Sequence, residues 1–251
     1  MLVMGILNVT PDSFADGGRH NDFEAAVARG LEMIAEGVDI IDIGGESTRP
    51  GAERVSEEEE IARTIPVIAE LAKHGATISI DTMRASTAEA AIKAGAAIIN
   101  DVSGGLADDA MLLTAARLKV PYIAMHWRGQ SKDMNSKAIY EDVVNDVIAE
   151  PNERIDAALD AGIKKDMLII DPGIGFAKDA EHNWAIIDAI DRFVELGYPV
   201  LVGASRKRFL GGDTPDEREQ ATIDLTKRLG TTGVWAVRVH SVKPHKEVLS
   251  S

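Results

Sequence analysis

The chain has 251 residues, and its 41 acidic side chains outnumber 27 Lys and Arg to give a formal net charge of −14. This surplus repels polyphosphate backbones at long range, so binding to nucleic acid or to an anionic membrane surface is not expected. Cysteine is absent, which excludes disulfides, thiolate metal sites and cysteine nucleophiles and favours a cytoplasmic location. No apolar run approaches the roughly 20 residues of a membrane helix, and Met1 to Thr10 lacks the basic region of a signal peptide.

Eight short apolar, β-branched runs recur along the chain, and a helix-like segment follows them. The runs are Leu2–Leu7, Val38–Ile43, Thr77–Ile80, Ala97–Ile99, Pro121–Met125, Met167–Ile170, Val200–Val202 and Val234–Val239. They are almost continuously hydrophobic, as expected of parallel strands buried on both faces. Eight βα units in a chain of this length predict an α/β fold, a TIM (β/α)8 barrel in which residues 1–251 form one domain. An open doubly wound sheet has the same periodicity.

Several local signals predict where helices begin, end or bend. Helical periodicity covers Phe23–Ala35 and Ile61–Leu71, and Ser56 before four glutamates is typical of a capping box, which favours a structural role for this acidic run. Glycines predicted to end helices precede six of the strands: Gly37, Gly75, Gly95, Gly162, Gly197 and Gly233. Pro151 interrupts a helical segment and predicts a kink or a break there.

Polar side chains follow the strands at their C-terminal ends. In chain order they are Asn8, Glu46 to Arg49, Asp81, Asn100 with Asp101, His126, Asp171, Ser205 to Lys207, and Arg238 with His240. In a barrel these ends meet at one mouth, which is where barrel enzymes place their sites. Taken singly, Asp81, Asn100 and Asp101 are also typical of helix N-caps, and for each alone the structural role is favoured. The complete set predicts a functional site.

The chemistry of this set is divided between acids and bases. A carboxylate at Asp171 or Asp81 can pair with an adjacent N–H and NH2 on a heterocycle. Cationic side chains follow the seventh and eighth strands, and they can bind an anion such as pyrophosphate. The negative net charge of the whole chain does not exclude such a local anion site. Arg238 and His240 lie two apart and therefore share a strand face. A salt bridge from Arg238 to Asp42 is the structural alternative, and the two roles are compatible.

Other chemistries have little support in the sequence. The six histidines include no pair spaced i, i+4, so a histidine zinc site is not favoured. Gly44-Gly45 and Gly104-Gly105 do not fit a dinucleotide fingerprint or a phosphate-binding loop. Ser47 and Ser205 have no base partner nearby in the sequence, which leaves a triad formed in space open.

Two long motifs strongly resemble dihydropteroate synthases: Met4–Phe14 and Asp42–Gly51. Shorter motifs follow in the same order: Ser79–Thr82, Ile99–Val102, Met125-His126, Asp171–Phe176, Gly203–Lys207 and Arg238–His240. The resemblance extends from Leu2 to about Leu249, and motifs of this length are far more specific than a single glycine signature.

The resemblance implies a TIM barrel that joins dihydropterin pyrophosphate to para-aminobenzoate and releases dihydropteroate and pyrophosphate. It implies Mg2+ as cofactor, sulfonamides as competitors of para-aminobenzoate, and a homodimer. The implied mechanism is dissociative, with pyrophosphate leaving before the arylamine attacks. The segments Thr10–Gly18 and Ser47–Gly51 would close over the mouth and exclude water.

The resemblance also assigns residues. The pterin pocket comprises Asp81, Asn100, Met125, Asp171, Phe176, Lys207 and Arg238. The para-aminobenzoate pocket comprises Phe14, Thr48, Arg49, Pro50 and Ser205. Pyrophosphate would be held by Asn8, Thr48, Arg238 and His240, with Asn8 also the ligand of Mg2+. The catalytic residues would be Asp12, Arg49, Lys207, Arg238 and His240.

The sequence departs from the family pattern at a few positions. Ser241 stands where the family usually has Asp, Ile174 where it has Phe, and Ala177 where it has Gly. The loss of the Asp is expected to weaken the orientation of His240, and the short C-terminal tail to reduce the dimer interface.

Two alternatives remain. A methyltetrahydrofolate methyltransferase-type domain would share the Asn8, Asp81, Asn100 and Asp171 positions but gives no reason for Ser47–Gly51. A noncatalytic pterin-binding paralogue would keep the pocket without the reaction.

Overall fold

The computed structural model describes residues 1–10, 18–46, 54–129 and 134–250. Eight parallel strands form one sheet in the order β6-β5-β4-β3-β2-β1-β8-β7. Their bounds are β1 Leu2–Asn8, β2 Ile40–Gly44, β3 Ile78–Asp81, β4 Ile98–Asp101, β5 Tyr122–Met125, β6 Leu168–Asp171, β7 Leu201–Val202 and β8 Ala236–Val239. A parallel bridge from Ile170 to Val200 and the bond from Ile170 N to Pro199 O, 2.9 Å, join the two edge strands. The predicted TIM barrel is confirmed.

Helices surround this barrel. They are α1 Gly18–Ala35, α2 Glu57–Ala72, α3 Ala85–Ala94, α4 Met111–Leu118, α5 Val143–Asp160, α6 Ala180–Asp188, α7 Ile190–Val194, α8 Glu219–Leu229 and α9 Lys243–Leu249. Their apolar faces cover the outward side chains of the strands in one continuous core, to which α2 contributes Val67, Ile68 and Leu71. Within the described residues, no helix has both the length and the apolar character needed to cross a bilayer.

The predicted strand positions are correct to within one or two residues, and most strands extend further at their C-terminal end. β3, for example, was predicted to end at Ile80 but includes Asp81. An apolar run in the sequence stops at the first polar residue, whereas the backbone hydrogen bonds between the strands continue past that residue. The six glycines predicted to end helices all have positive φ, between 75° and 116°, which confirms their role.

Two local predictions have different outcomes. Ser56 is the N-cap of α2 and accepts a bond from Glu59 N, 3.2 Å, which is one of the two bonds of the predicted capping box. A kink or a break was predicted at Pro151, and the break is wrong, because α5 is one continuous helix from Val143 to Asp160. Proline removes only one backbone bond, and Pro151 is buried in this helix, so packing offsets the loss.

The alternation of inward and outward side chains along each strand determines which residues lie at the site. Strand residues that face inward fill the barrel with a separate apolar cluster: Met4, Ile40, Ile98, Ile123, Ile169, Leu201 and Ala236. Successive side chains of a strand point to opposite faces, so positions two further along also point inward. These positions carry Asp42, Asn100, Met125, Asp171 and Arg238. The polar set therefore lies at the C-terminal mouth of the barrel, above an apolar plug.

Candidate active site at the barrel mouth

Arg238 connects two carboxylates at the mouth. Its Nε donates to Asp42 Oδ2 at 2.6 Å, and its Nη2 donates to Asp81 Oδ2 at 2.7 Å. Asn100 Nδ2 donates to the same Asp42 oxygen at 3.0 Å. The predicted salt bridge to Asp42 is thus confirmed, and it extends to Asp81. Arg238, Asp81 and Asn100 lie together, as the resemblance implied.

The electrostatics of this group make Asp81 unusual. Burial raises the pKa of Asp81 to about 7; the Arg238 cation opposes this shift, while the carboxylates of Asp42 and Glu60 add to it. Burial lowers the pKa of Arg238, but its two acidic partners outweigh that cost and hold the pKa above its ordinary value. Asp81 is therefore protonated more readily than an ordinary carboxyl, although one of its oxygens accepts from Arg238.

Asp171 and Lys207 form the second half of the site. Asp171 Oδ1 accepts from Gly173 N at 2.7 Å. Lys207 Nζ donates to Ile174 O and lies 4.5 Å from the centroid of the Phe176 ring. Burial raises the pKa of Asp171, against the Gly173 N–H and nearby cations, and burial lowers the pKa of Lys207 to about 8. This half presents a carboxylate, an ammonium group and an aromatic face together.

Gly203, just after β7, lies where the two halves meet. A Cβ atom there would be 3.9 Å from both Asp171 Oδ2 and Arg238 Cβ. Gly203 therefore lies beside both the Asp171 carboxylate and the base of the Arg238 side chain, and it adds no side-chain atoms between them.

An apolar wall borders the site. Met125 packs with Met83 and Val102, and the partly buried Trp127 and Phe176 join this cluster. Met125 and Phe176 were predicted, whereas Met83, Val102 and Trp127 were missed. Each of these three is the first apolar residue after the polar residues at the end of a strand, namely β3, β4 or β5. This position in the sequence could have identified them.

Ser205 and His240 lie together where the sequence predicted an anion site, and we call this pair the anion corner. Ser205 Oγ lies 2.9 Å from His240 Nδ1 and accepts from His240 N at 3.2 Å, so the hydroxyl proton is available to Nδ1. This partner of Ser205 was not visible in the sequence. Ser241 donates to Glu219, which also accepts from Arg206 Nε at 2.6 Å. The His240 ring is therefore held by Ser205, whereas the side chain of Ser241, which departs from the family pattern, contacts Glu219.

Asp101 proves to be structural. It faces outward and accepts from Ser103 N at 2.8 Å, Gly105 N at 2.8 Å and Tyr122 Oη at 2.7 Å. Asp81, Asn100 and Asp101 were the three residues with a suspected capping role, and of these only Asp101 binds the backbone of the loop that follows it. The N-cap of α3 is Arg84, without a side-chain cap bond, so Asp81 does not cap that helix.

The remaining predicted residues are divided between described and undescribed parts of the chain. Asn8 ends β1 at the mouth and is half-buried. The other predicted residues lie outside the described residues: Asp12, Phe14, Thr48, Arg49 and Pro50.

A buried lysine that the sequence did not reveal lies behind the site. Lys178 Nζ lies 2.8 Å from His126 Nδ1 and donates to Gly173 O at 3.0 Å and Phe176 O at 3.1 Å. On the other side of the ring, His126 Nε2 lies 2.9 Å from Glu150 Oε2.

Comparison with known proteins agrees with this geometry. The profile of the family described as "Pterin binding enzyme" matches residues 4–240. The dihydropteroate synthase of Mycobacterium leprae (strain TN) is 48% identical over 257 residues, covering 98% of this chain and 90% of the relative.

Two solved structures agree over the same length. Xanthomonas albilineans dihydropteroate synthase with 4-aminobenzoic acid has a TM-score of 0.93 at 44% identity, covering 99% of this chain and 90% of that one. The Yersinia pestis enzyme in a sulfonamide drug complex has a TM-score of 0.93 at 38% identity, covering 99% and 92%. The chain therefore belongs to the pterin-binding enzyme family and, within it, to the dihydropteroate synthases.

Proposed function

We propose that the mouth condenses dihydropterin pyrophosphate with para-aminobenzoate to give dihydropteroate and pyrophosphate. The observation that carries the proposal is the juxtaposition of Asp171 with Arg238 across Gly203. A heterocycle that bears an anionic leaving group needs an acid at one end and cations at the other. This arrangement supports pterin recognition and departure of the anion in a single site.

Asp171 is the group best placed to recognise the pterin. Its Oδ1 is engaged by Gly173 N, and its Oδ2 lies near Gly203. A carboxylate offers about four lone-pair sites, so it can still accept from the N–H and NH2 of the aminopyrimidine edge. Asn100 donates from Nδ2 to Asp42, so its side-chain carbonyl oxygen can still accept a hydrogen bond from the pterin ring. Met125 and Phe176 supply the apolar surface beside it.

The charges of the site suit a dissociative reaction. Breaking the bond between the pterin methylene carbon and the pyrophosphate oxygen leaves a cation on the pterin and an additional charge on the anion. The carboxylates of Asp81 and Asp171 stabilise the cation, and Lys207, Arg238 and His240 stabilise the anion. The arylamine nitrogen then forms the new bond and loses a proton. No covalent bond to the protein is required.

The residues present fit magnesium that is held mainly by its substrate. Among the described residues, no cluster of three or more His, Cys, Asp or Glu side chains could hold a metal ion. Asn8 supplies one amide oxygen at the mouth, and Mg2+ prefers oxygen ligands, keeps several waters and commonly binds with phosphates. Bound to Asn8 and pyrophosphate, the ion would neutralise charge on the leaving group.

The para-aminobenzoate pocket remains a proposal, with Ser205 as its described member. The Xanthomonas enzyme was solved with 4-aminobenzoic acid and the Yersinia enzyme with a sulfonamide, and we infer the same two ligand classes here. Arg49→Ala should raise the KM for para-aminobenzoate and leave pterin affinity intact. Homodimerisation and the cytoplasmic location also remain predictions, and light scattering of the purified protein tests the former.

One assay tests the function. Purified protein is incubated with dihydropterin pyrophosphate, para-aminobenzoate and Mg2+, and dihydropteroate and pyrophosphate are followed against a no-enzyme control. Equal amounts of both products are expected, and a sulfonamide should raise the KM for para-aminobenzoate without changing kcat. Pterin binding by calorimetry without product would instead indicate a noncatalytic paralogue. Methyl transfer from methyltetrahydrofolate would indicate the other alternative.

A further inference from the structure

Lys178 is buried, yet all of its polar capacity is used. An ammonium group has three N–H donors, and Lys178 Nζ has three acceptors, namely His126 Nδ1, Gly173 O and Phe176 O, at 2.8, 3.0 and 3.1 Å. Burial lowers the pKa of Lys178 to about 7, although the Asp171 carboxylate opposes this shift. A buried ammonium with a complete set of partners has a defined position rather than a mobile one.

The partners fix the proton arrangement of His126. Because Nδ1 accepts from Lys178, the ring proton is on Nε2 and is donated to Glu150 Oε2 at 2.9 Å. Burial lowers the pKa of His126 to about 4, with the Lys178 charge contributing, so the ring is neutral. Arg128 Nε donates to Glu150 Oε1 at 3.0 Å from the opposite side. We call Lys178, His126, Glu150 and Arg128 the Lys178 network.

This network holds one segment of the site, the turn of residues 172–177 between β6 and α6. The carbonyls of Gly173 and Phe176 accept from Lys178 on one side of the turn, and Ile174 O accepts from Lys207 on the other. The turn also lies directly against the end of β5, because a Cβ atom on Gly173, where φ is +68°, would collide with the His126 carbonyl oxygen. Movement of Lys178 would therefore displace the turn.

The same turn determines where two pterin-binding groups lie. Gly173 N donates to the Asp171 carboxylate, and Phe176 supplies the ring that faces Lys207. Lys178 makes no described contact with the proposed pterin site beside Gly203 or with the anion corner, so its hydrogen bonds act on the site through the turn. We propose that Lys178, held by His126 and Glu150, is a positioning residue that fixes the Asp171 carboxylate and the Phe176 ring for pterin binding. The inference rests on the proposed function of the mouth.

The charge of Lys178 has a second effect. Asp171, Lys207, Arg128 and Glu150 are the charged groups that act on Lys178, and the neutral His126 contacts it. Lys178 in turn lowers the pKa of Asp171, against the effect of burial. Loss of this cation should therefore raise the pKa of Asp171, so that pterin binding fails at a higher pH as a solution is acidified.

Lys178→Met and Lys178→Gln separate hydrogen bonding from charge. Methionine removes both, whereas glutamine retains two N–H donors without the charge. Loss of charge-assisted bonds should raise the KM for dihydropterin pyrophosphate about tenfold or more in Lys178→Met, and Lys178→Gln should recover part of this loss. The KM for para-aminobenzoate at saturating pterin should stay within about twofold. Lys164→Met, at an exposed lysine, is the matched control.

Calorimetry with 6-hydroxymethylpterin and urea unfolding accompany the kinetics, and they distinguish lost pterin binding from lost folding. If Lys178→Met does not fold, Glu150→Gln tests the same chain of bonds from a distance and should raise the pterin KM in the same direction. An unchanged pterin KM and pH profile in folded Lys178→Gln and Glu150→Gln would overturn the proposal. If the wild-type protein forms no dihydropteroate, calorimetry still tests the inference, because it reports pterin binding without turnover.

Discussion

Asn100 and Asp101 are neighbours on β4, both buried and polar, yet they belong to different parts of the molecule. Asn100 faces the barrel interior and donates to Asp42, the carboxylate that also holds Arg238. Asp101 faces the helices and accepts from Ser103, Gly105 and Tyr122. The polar residues at strand ends thus form two sets, and the side of the strand decides which of them can meet a substrate.

The same division holds on β3 and β5. Asp81 faces inward to Arg238, whereas the next residue, Thr82, donates outward to Glu60 of α2 at 2.6 Å. Met125 borders the site, whereas His126 points away from it and acts on Lys178. Inward groups should therefore control binding and turnover, and outward groups should control stability or position.

The largest expected effect is the loss of Arg238. Arg238→Met leaves Asp42 and Asp81 buried without their shared cation, which should lower the free energy of unfolding by about 3–5 kcal/mol and abolish turnover. Urea unfolding measures the first effect. Arg117→Met is the control, because Arg117 pairs with Glu89 on an exposed surface and such pairs contribute at most about 1 kcal/mol. Equal losses in the two variants would contradict the inward–outward division.

The pH dependence of stability should show the burial of Asp81. Its pKa rises to about 7 in the folded protein from about 3.9 in an unfolded chain. Between these values the folded state binds more protons, so the contribution of Asp81 to stability is present at low pH and is lost as the pH rises. Relative to Asp81→Asn, the wild-type free energy of unfolding should fall by up to about 1.4 kcal/mol per pH unit between about pH 4 and 7.

Asp109→Asn, at an exposed carboxylate, provides the reference slope for that experiment. If Asp81→Asn and Asp109→Asn change the slope equally, the environment of Asp81 is not the one described here.

The smallest expected effect concerns the anion corner. Ser205→Ala removes the bond to His240 Nδ1, which is worth about 1 kcal/mol. Inhibition by pyrophosphate should weaken by about fivefold, as measured in the product assay, with pterin affinity unchanged. Ser241→Ala is the matched control, since Ser241 contacts Glu219. The corner would be misassigned if both serine variants lost the same affinity for pyrophosphate.

The sequence predicted the barrel and most of the inward set because both depend on local order along the chain. The apolar runs end at the polar residues, so Asp81, Asn100, Asp171 and Arg238 were found without knowing any contact. The salt bridge between Arg238 and Asp42 was predicted because Asp42 is a charged residue within the otherwise apolar run of β2. The same dependence on hydrophobicity explains why the strand ends were predicted too early. The polar side chain of Asp81 does not show that β3 continues through this residue.

Contacts between distant residues could not be predicted from one sequence. Lys178 and His126 are 52 residues apart, and Ser205 and His240 are 35 apart. Each pair forms only because the barrel brings their loops together. Pro151 shows that a local signal can also mislead, because it predicted a kink or a break and the helix continues through it.

The most direct test of the account makes the same substitution on both sides of the sheet. Asp171 and Asp101 are both buried carboxylates at strand ends, one inward and one outward. Calorimetry with 6-hydroxymethylpterin should show about 10- to 100-fold weaker binding for Asp171→Asn, because a charge-assisted contact with the ring is lost. Asp101→Asn should bind pterin like the wild type while unfolding at lower urea concentration. Equal loss of pterin affinity in both variants, or an unchanged affinity in Asp171→Asn, would contradict the account.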